Sequence, residues 1–170
     1  MIDGDLSRMA GPESRGARVV NKAELEAFLD DACKSADAEA QLGGFFLIKL
    51  DAGVLGQLRP QDMIEAVYLV AQLARQPDIL AQVDESTVAV VVGRLAQRHD
   101  AHIFVERVED YVRTARSSWG VSTGVAVFPM CGPRGSDAWS KACRDLEGAI
   151  SSDSWVHEIP RDTIRARETG

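Results

Sequence analysis

Two runs rich in β-branched side chains, Ile79–Val83 and Thr87–Val92, are held apart by only Asp84, Glu85 and Ser86. A gap that short joins neighbouring antiparallel strands, whereas a parallel crossover needs a dozen residues or more. The stretch therefore reads as a β-hairpin with a short acidic tip. A second apolar run, GGFFLIKLD (43–51), is entered through two glycines and reads as a buried strand ending at Asp51.

Helical periodicity surrounds these strands. Asn21 with Glu24 forms a capping box, and Leu25, Phe28, Leu29 and Ala32 recur at helical spacing, which predicts a helix over 22–36. Asp62 is the expected cap of a second helix, with Met63, Ile64, Val67, Val70, Ala71 and Ala74 on its apolar face. Pro77 ends it, because the residue before proline is pushed out of helical geometry. Phe104, Val108, Tyr111, Val112 and Ala115 predict a third helix over 100–116, and Trp119–Phe128 a strand stopped by Pro129. Ser136 caps a last helix carrying Trp139, Ala142, Cys143, Leu146 and Ile150, and Trp155–Ile159 is expected as a short edge strand. This order predicts an α/β sandwich, with a central mixed sheet of about five strands, one hairpin, and helices covering it. Residues 1–18 are expected to be a flexible arm, 19–159 the single domain, and 160–170 a frayed tail.

With 170 residues and 45% hydrophobic content the chain can build one real core. A net charge of −7 argues against coating nucleic acid or anionic lipid, since no broad basic surface is available. No apolar run approaches the roughly 18 residues of a membrane span and the first residues lack an apolar signal core, so a cytoplasmic protein is expected. Cys33, Cys131 and Cys143 show no C-x-x-C spacing, so reduced thiols are expected and a structural zinc is not.

The order of elements, FFLIKLD, the central hairpin and WGVSTGVAVFP (119–129) together resemble the GGDEF domain of diguanylate cyclases. Those enzymes join two GTP molecules into cyclic dimeric GMP (c-di-GMP), a bacterial second messenger. FFLIKLD stands where the family has an apolar strand ending Asp-x-Asp. Ser122, Gly124, Val125 and Ala126 match the family's V-S-x-G-V-A strand. The resemblance covers about 19–159 and implies a nucleotidyl-cyclase-like sandwich.

It also implies that the chemistry is lost. Asp84, Glu85, Ser86, Thr87 and Val88 stand where the family has Gly, Gly, Asp/Glu, Glu and Phe. Glycines there let the backbone approach phosphates, which two carboxylates obstruct and repel. Ser86 replaces a metal-binding acid, and Lys49 replaces the first Asp of Asp-x-Asp, so a cation stands where Mg²⁺ belongs. Moving Asp84-Glu85 into the motif's own Asp-Glu places leaves Lys49 unchanged and rescues little. The guanine-reading Asn falls near Gln57, the Gly-His-x-x-Gly-Asp segment shortens to LRPQD with Asp62 retained, and Ile150 replaces a phosphate-binding Lys. No catalytic residue, metal site or cofactor is expected.

One family feature survives. Many members carry an inhibitory-type Arg-x-x-Asp site five residues before the hairpin motif, and Arg75-Gln76-Pro77-Asp78 stands at that spacing. An Arg fork suits the N7/O6 edge of guanine or a phosphate, and a carboxylate accepts from guanine N1–H and N2–H₂. Arg107, in FVERVED, resembles a further family Arg that clamps the ligand, supplied in cis or by a second copy. The plain alternatives are an Arg near helix-end carbonyls with a strand-entry Asp, and a solvated Arg on a helix face. The expected function is an inactive GGDEF-like receptor for c-di-GMP that signals to a protein partner, a homodimer being one form. The alternative is a ligand-independent interaction or scaffold module, and a residual cyclase comes last.

Overall fold

The hairpin forms where its spacing predicts. β3 (Ile79–Gln82) runs antiparallel to β4 (Thr87–Leu95), with Ile79 opposite Val91 and Gln82 opposite Val88. The structure is a computed structural model that describes residues 17–53, 56–75 and 77–156, and only the backbone over 151–156. Around the hairpin lie β1 (Arg18–Val19), α1 (Lys22–Glu39), β2 (Leu42–Asp51), α2 (Pro60–Leu73), α3 (His99–Ala115), β5 (Gly120–Phe128) and α4 (Gly135–Val156).

The five strands form one mixed sheet in the order β1-β3-β4-β2-β5, with β1 parallel to β3 and the other pairs antiparallel. Because side chains alternate along a strand, β2 feeds two cores. Phe46, Ile48 and Leu50 enter the core built with α2 and α3, and Phe45 and Leu47 enter the core built with α1 and α4. Phe46 meets Phe104 at 4.6 Å between ring centroids, and Phe45 meets Trp139 at 5.0 Å. The expected α/β sandwich is therefore present, with helices on both faces. No helix among the described residues is long and apolar enough to cross a membrane.

Several boundaries differ from expectation. Ser136 does not cap α4, which starts one residue earlier at Gly135, where Asp137 Oδ2 accepts from Arg134 N–H at 3.0 Å. The fifth strand is β1, which pairs parallel to β3, so the sheet begins at Arg18 with Ala17 fully buried before it. Two residues carry no periodicity, and only the β3 edge makes them a strand. Trp155 and Val156 continue α4 and form no edge strand; the rest of that segment, and most of the expected arm and tail, lie outside the described residues. Finally, α2 starts at Pro60 and not at an Asp62 cap. Proline's fixed φ suits the first helical position, so the cap moves to Arg59 and Asp62 becomes the third helical residue.

Gly124 of β5 sets how closely α4 can lie on the sheet. A Cβ there would stand 2.1 Å from the Ala142 carbonyl oxygen and 2.7 Å from the Leu146 backbone nitrogen. The same helix blunts the sheet edge: Asp145 accepts from Val125 N–H at 2.9 Å, and Lys141 Nζ lies 3.5 Å from the Val125 carbonyl. Gly124→Ala should lower unfolding stability by about 1–3 kcal/mol in urea titrations, as overpacking of a tight contact does. Gly148→Ala, in the same helix but with open space around the added methyl, should be neutral or stabilise by about 0.5–1 kcal/mol.

Candidate functional site

The hairpin tip is a closed hydrogen-bonded unit. Val83 N–H donates to the Thr87 carbonyl at 3.0 Å, and Asp84 Oδ1 accepts from Ser86 N–H at 2.9 Å. Beside it, Lys49 of β2 stands opposite Thr87, so its side chain reaches the tip and donates to Ser86 Oγ at 3.0 Å. Partial burial would raise the Asp84 carboxyl, but the Ser86 and Thr87 donors and the Lys49 cation bring it below its ordinary value. The two positions that the GGDEF resemblance assigns to metal-holding acids are thus a lysine and a serine bonded to each other. A hard divalent ion needs several oxygen ligands, and a resident ammonium group opposes one.

In LRPQD, the segment compared above with the family's Gly-His-x-x-Gly-Asp, the carboxylate is internally paired. Asp62 is 7% exposed; its Oδ2 accepts from Arg59 N–H at 2.8 Å and pairs with Arg59 Nε at 3.5 Å, while Arg116 lies 3.5 Å from Oδ1. Arg116 also bonds Glu65 at 2.9 Å and stacks 4.3 Å above the Trp119 ring. The Arg59 amide, more than burial can offset, holds the Asp62 carboxyl below its ordinary range, helped by the two guanidinium groups. Gln57 is exposed and Ile150, at the position of the phosphate-binding lysine, is 36% exposed. Sequence reasoning missed Arg116 and Trp119; their three-residue separation across a turn gives no motif to find them by.

Arg75 and Asp78 do come together, in the turn that leads from α2 into β3. Asp78 N–H donates to the Arg75 carbonyl at 2.6 Å, and Arg75 N–H donates to Asp78 Oδ2 at 3.1 Å. A Gly93 backbone amide adds a further donor to the carboxylate. Asp78 is only 8% exposed, and burial raises its carboxyl above the ordinary value against the pull of these donors. The Arg75 side chain is exposed. Arg107 is exposed on α3, and no hydrogen bond or ion pair joins it to Arg75 or Asp78 among the described residues.

This architecture is the GGDEF domain fold. The GGDEF domain of TpbB (also YfiN) from Pseudomonas aeruginosa superposes with a TM-score of 0.67 at 16% identity, over 79% of this chain and 86% of that one. The GGDEF domain of DgcB from Caulobacter crescentus, in complex with c-di-GMP, gives 0.64 at 19% identity over 81% and 86%. The diguanylate cyclase SiaD from P. aeruginosa, in complex with its activator SiaC, gives 0.63 at 19% over 78% and 55%. No protein-family model and no curated protein matches the sequence.

The Asp62 cluster has a pH signature. Its carboxyl is depressed in the folded chain, so its stabilisation is present above the ordinary 3.8 and lost as pH falls through the lower folded value. Asp62→Asn should therefore be clearly less stable than wild type at neutral pH. The difference should narrow in chemical denaturation once pH drops below 3.8.

Proposed function

We propose that this chain is a catalytically inactive GGDEF-like domain that acts in the cytoplasm as a receptor for c-di-GMP and relays it to a protein partner. The observation that carries the inactive reading is the Lys49–Ser86 hydrogen bond at 3.0 Å, which fills the space where two acids would hold catalytic metals. The occupied Asp62 carboxylate supports it, because a substrate would have to displace Arg59 and Arg116 to reach it.

The receptor reading rests on Arg75 and Asp78. Arg75 projects its guanidinium into solvent beside a turn that its own backbone shares with Asp78. A carboxylate offers about four acceptor sites, and the Arg75 and Gly93 amides leave some of that capacity for guanine N1–H and N2–H₂. Arg107, on the neighbouring helix of the same layer, is the further contact, from this chain or from a second copy. The DgcB complex with c-di-GMP shows that the fold is compatible with this ligand class in that protein. A second reading, a ligand-independent interaction module, draws on Tyr68 and Ile103, large apolar side chains 40% and 42% exposed on α2 and α3.

Calorimetry with c-di-GMP should give a dissociation constant near or below about 1 μM, roughly −8 kcal/mol. Arg75→Ala should weaken it at least about tenfold, and Arg107→Ala by less. Absence of heat with folded wild type would overturn the receptor reading and leave the interaction module. Incubation with GTP and Mg²⁺ or Mn²⁺ should yield no cyclic dinucleotide; any product at wild type would overturn the inactive reading.

A further inference from the structure

On the opposite side of the sheet from Arg75, a cleft of about 600 Å³ opens between α1 and the start of α4. That volume lies within the range of small-molecule sites. Its apolar floor is Leu29, Ala27 and the face of Trp139, whose ring is fixed from below by Phe45 at 5.0 Å. Lys22 and Arg134 stand at its rim.

The charges in the cleft are unevenly engaged. Asp30 is already engaged, accepting from Gly135 N–H at 3.1 Å and pairing with Lys34 at 3.3 Å; the Gly135 amide first, then Lys34, hold its carboxyl below the ordinary range. Lys22 and Arg134 have no ion-pair partner among the described residues, and Lys22 Nζ lies 5.6 Å from the Trp139 ring centroid. Arg134 is also near enough to help lower the Asp30 carboxyl, and Glu26 has no bonded partner among the described residues, so the lining carries two cations and two acids, one of them already engaged. In a chain of net charge −7 that even balance runs against the background. Hydroxyls of Ser136 and Ser140 complete the polar rim.

We propose that this cleft binds a small planar anion of the nucleoside-monophosphate type. Lys22 moves off the Trp139 ring onto the phosphate, and a flat heteroaromatic ring takes its place, stacking on the indole as bases do on aromatic side chains. Lys22 and Arg134 take the phosphate, the Arg as a fork and the Lys as a point charge. Glu26 accepts from ring N–H groups, as an acid does from a base edge. The site is separate from the Arg75 turn and stands whether or not that turn binds c-di-GMP.

The test is a titration of the ¹⁵N-labelled full chain, followed by NMR, with guanosine 5′-monophosphate, adenosine 5′-monophosphate and inorganic phosphate. Either nucleotide should shift the Trp139 indole N–H and the Ser136 and Ser140 amides saturably, with a dissociation constant near or below about 1 mM. Phosphate alone should bind at least about tenfold more weakly, since it cannot stack. Lys22→Ala and Arg134→Ala should each weaken nucleotide binding by about tenfold while leaving the remaining spectrum intact. Trp139→Phe should retain binding that Trp139→Leu loses, and Arg75→Ala should change nothing. The proposal is overturned if no saturable shift occurs at these groups, if phosphate alone binds as well, or if both rim variants bind like wild type.

Discussion

β2 must be buried on both faces, and the rest of the molecule is arranged to meet that demand. Phe45, Phe46 and Ile48 are fully buried, and each would lose about 1.5–3 kcal/mol of stabilisation if left in water. One helical layer cannot cover both sets, so α1 and α4 close one side while α2 and α3 close the other. Strands on both sides satisfy its backbone, β4 along one edge and β5 along the other. That pairing fixes the register of β2 on β4, and the register sets Lys49 against the hairpin tip.

What happens at that end is governed by local neutralisation. An ammonium group beside a turn with two acids could have remained a solvent-screened charge; instead it is bonded to Ser86 and lowers the neighbouring Asp84 carboxyl. Arg116 does the equivalent work at the start of α2, joining Asp62, Glu65 and the Trp119 ring. In both clusters side-chain donors and acceptors bond one another. Asp78 follows a related logic one strand away, where its carboxylate ties the Arg75 turn to Gly93 of β4.

The elements that were legible in the sequence are those whose burial leaves a repeating mark. The 3.6-residue stripes of α1 to α4 and the apolar runs of β2, β3 and β4 are written in residue type alone. β1 was not legible, because two residues carry no period and their strand character comes from hydrogen bonds to Asp78 and Leu80 carbonyls. The extension of α4 through Val156 was masked for a similar reason: Trp155 and Val156 suit a strand by type, and the helix simply continues. Of the site, the proximity of Arg75 and Asp78 follows from their three-residue spacing, whereas Lys49 and Ser86 meet only across two strands. The grip of Arg116 on Asp62 joins residues 54 positions apart and leaves no local signal.

By itself, the sequence determined the layers and the central hairpin. Apolar periodicity specifies which faces must leave water, and a three-residue gap admits only an antiparallel turn. It also determined which charges are available near the hairpin tip and the start of α2. Only the tertiary structure decided what those charges do. Hydrogen bonds such as Lys49 to Ser86 and Gly135 to Asp30 act over a few ångströms between residues far apart in the chain. The folding of one helix against another, and not residue type, brings Lys22 and Arg134 to one cleft.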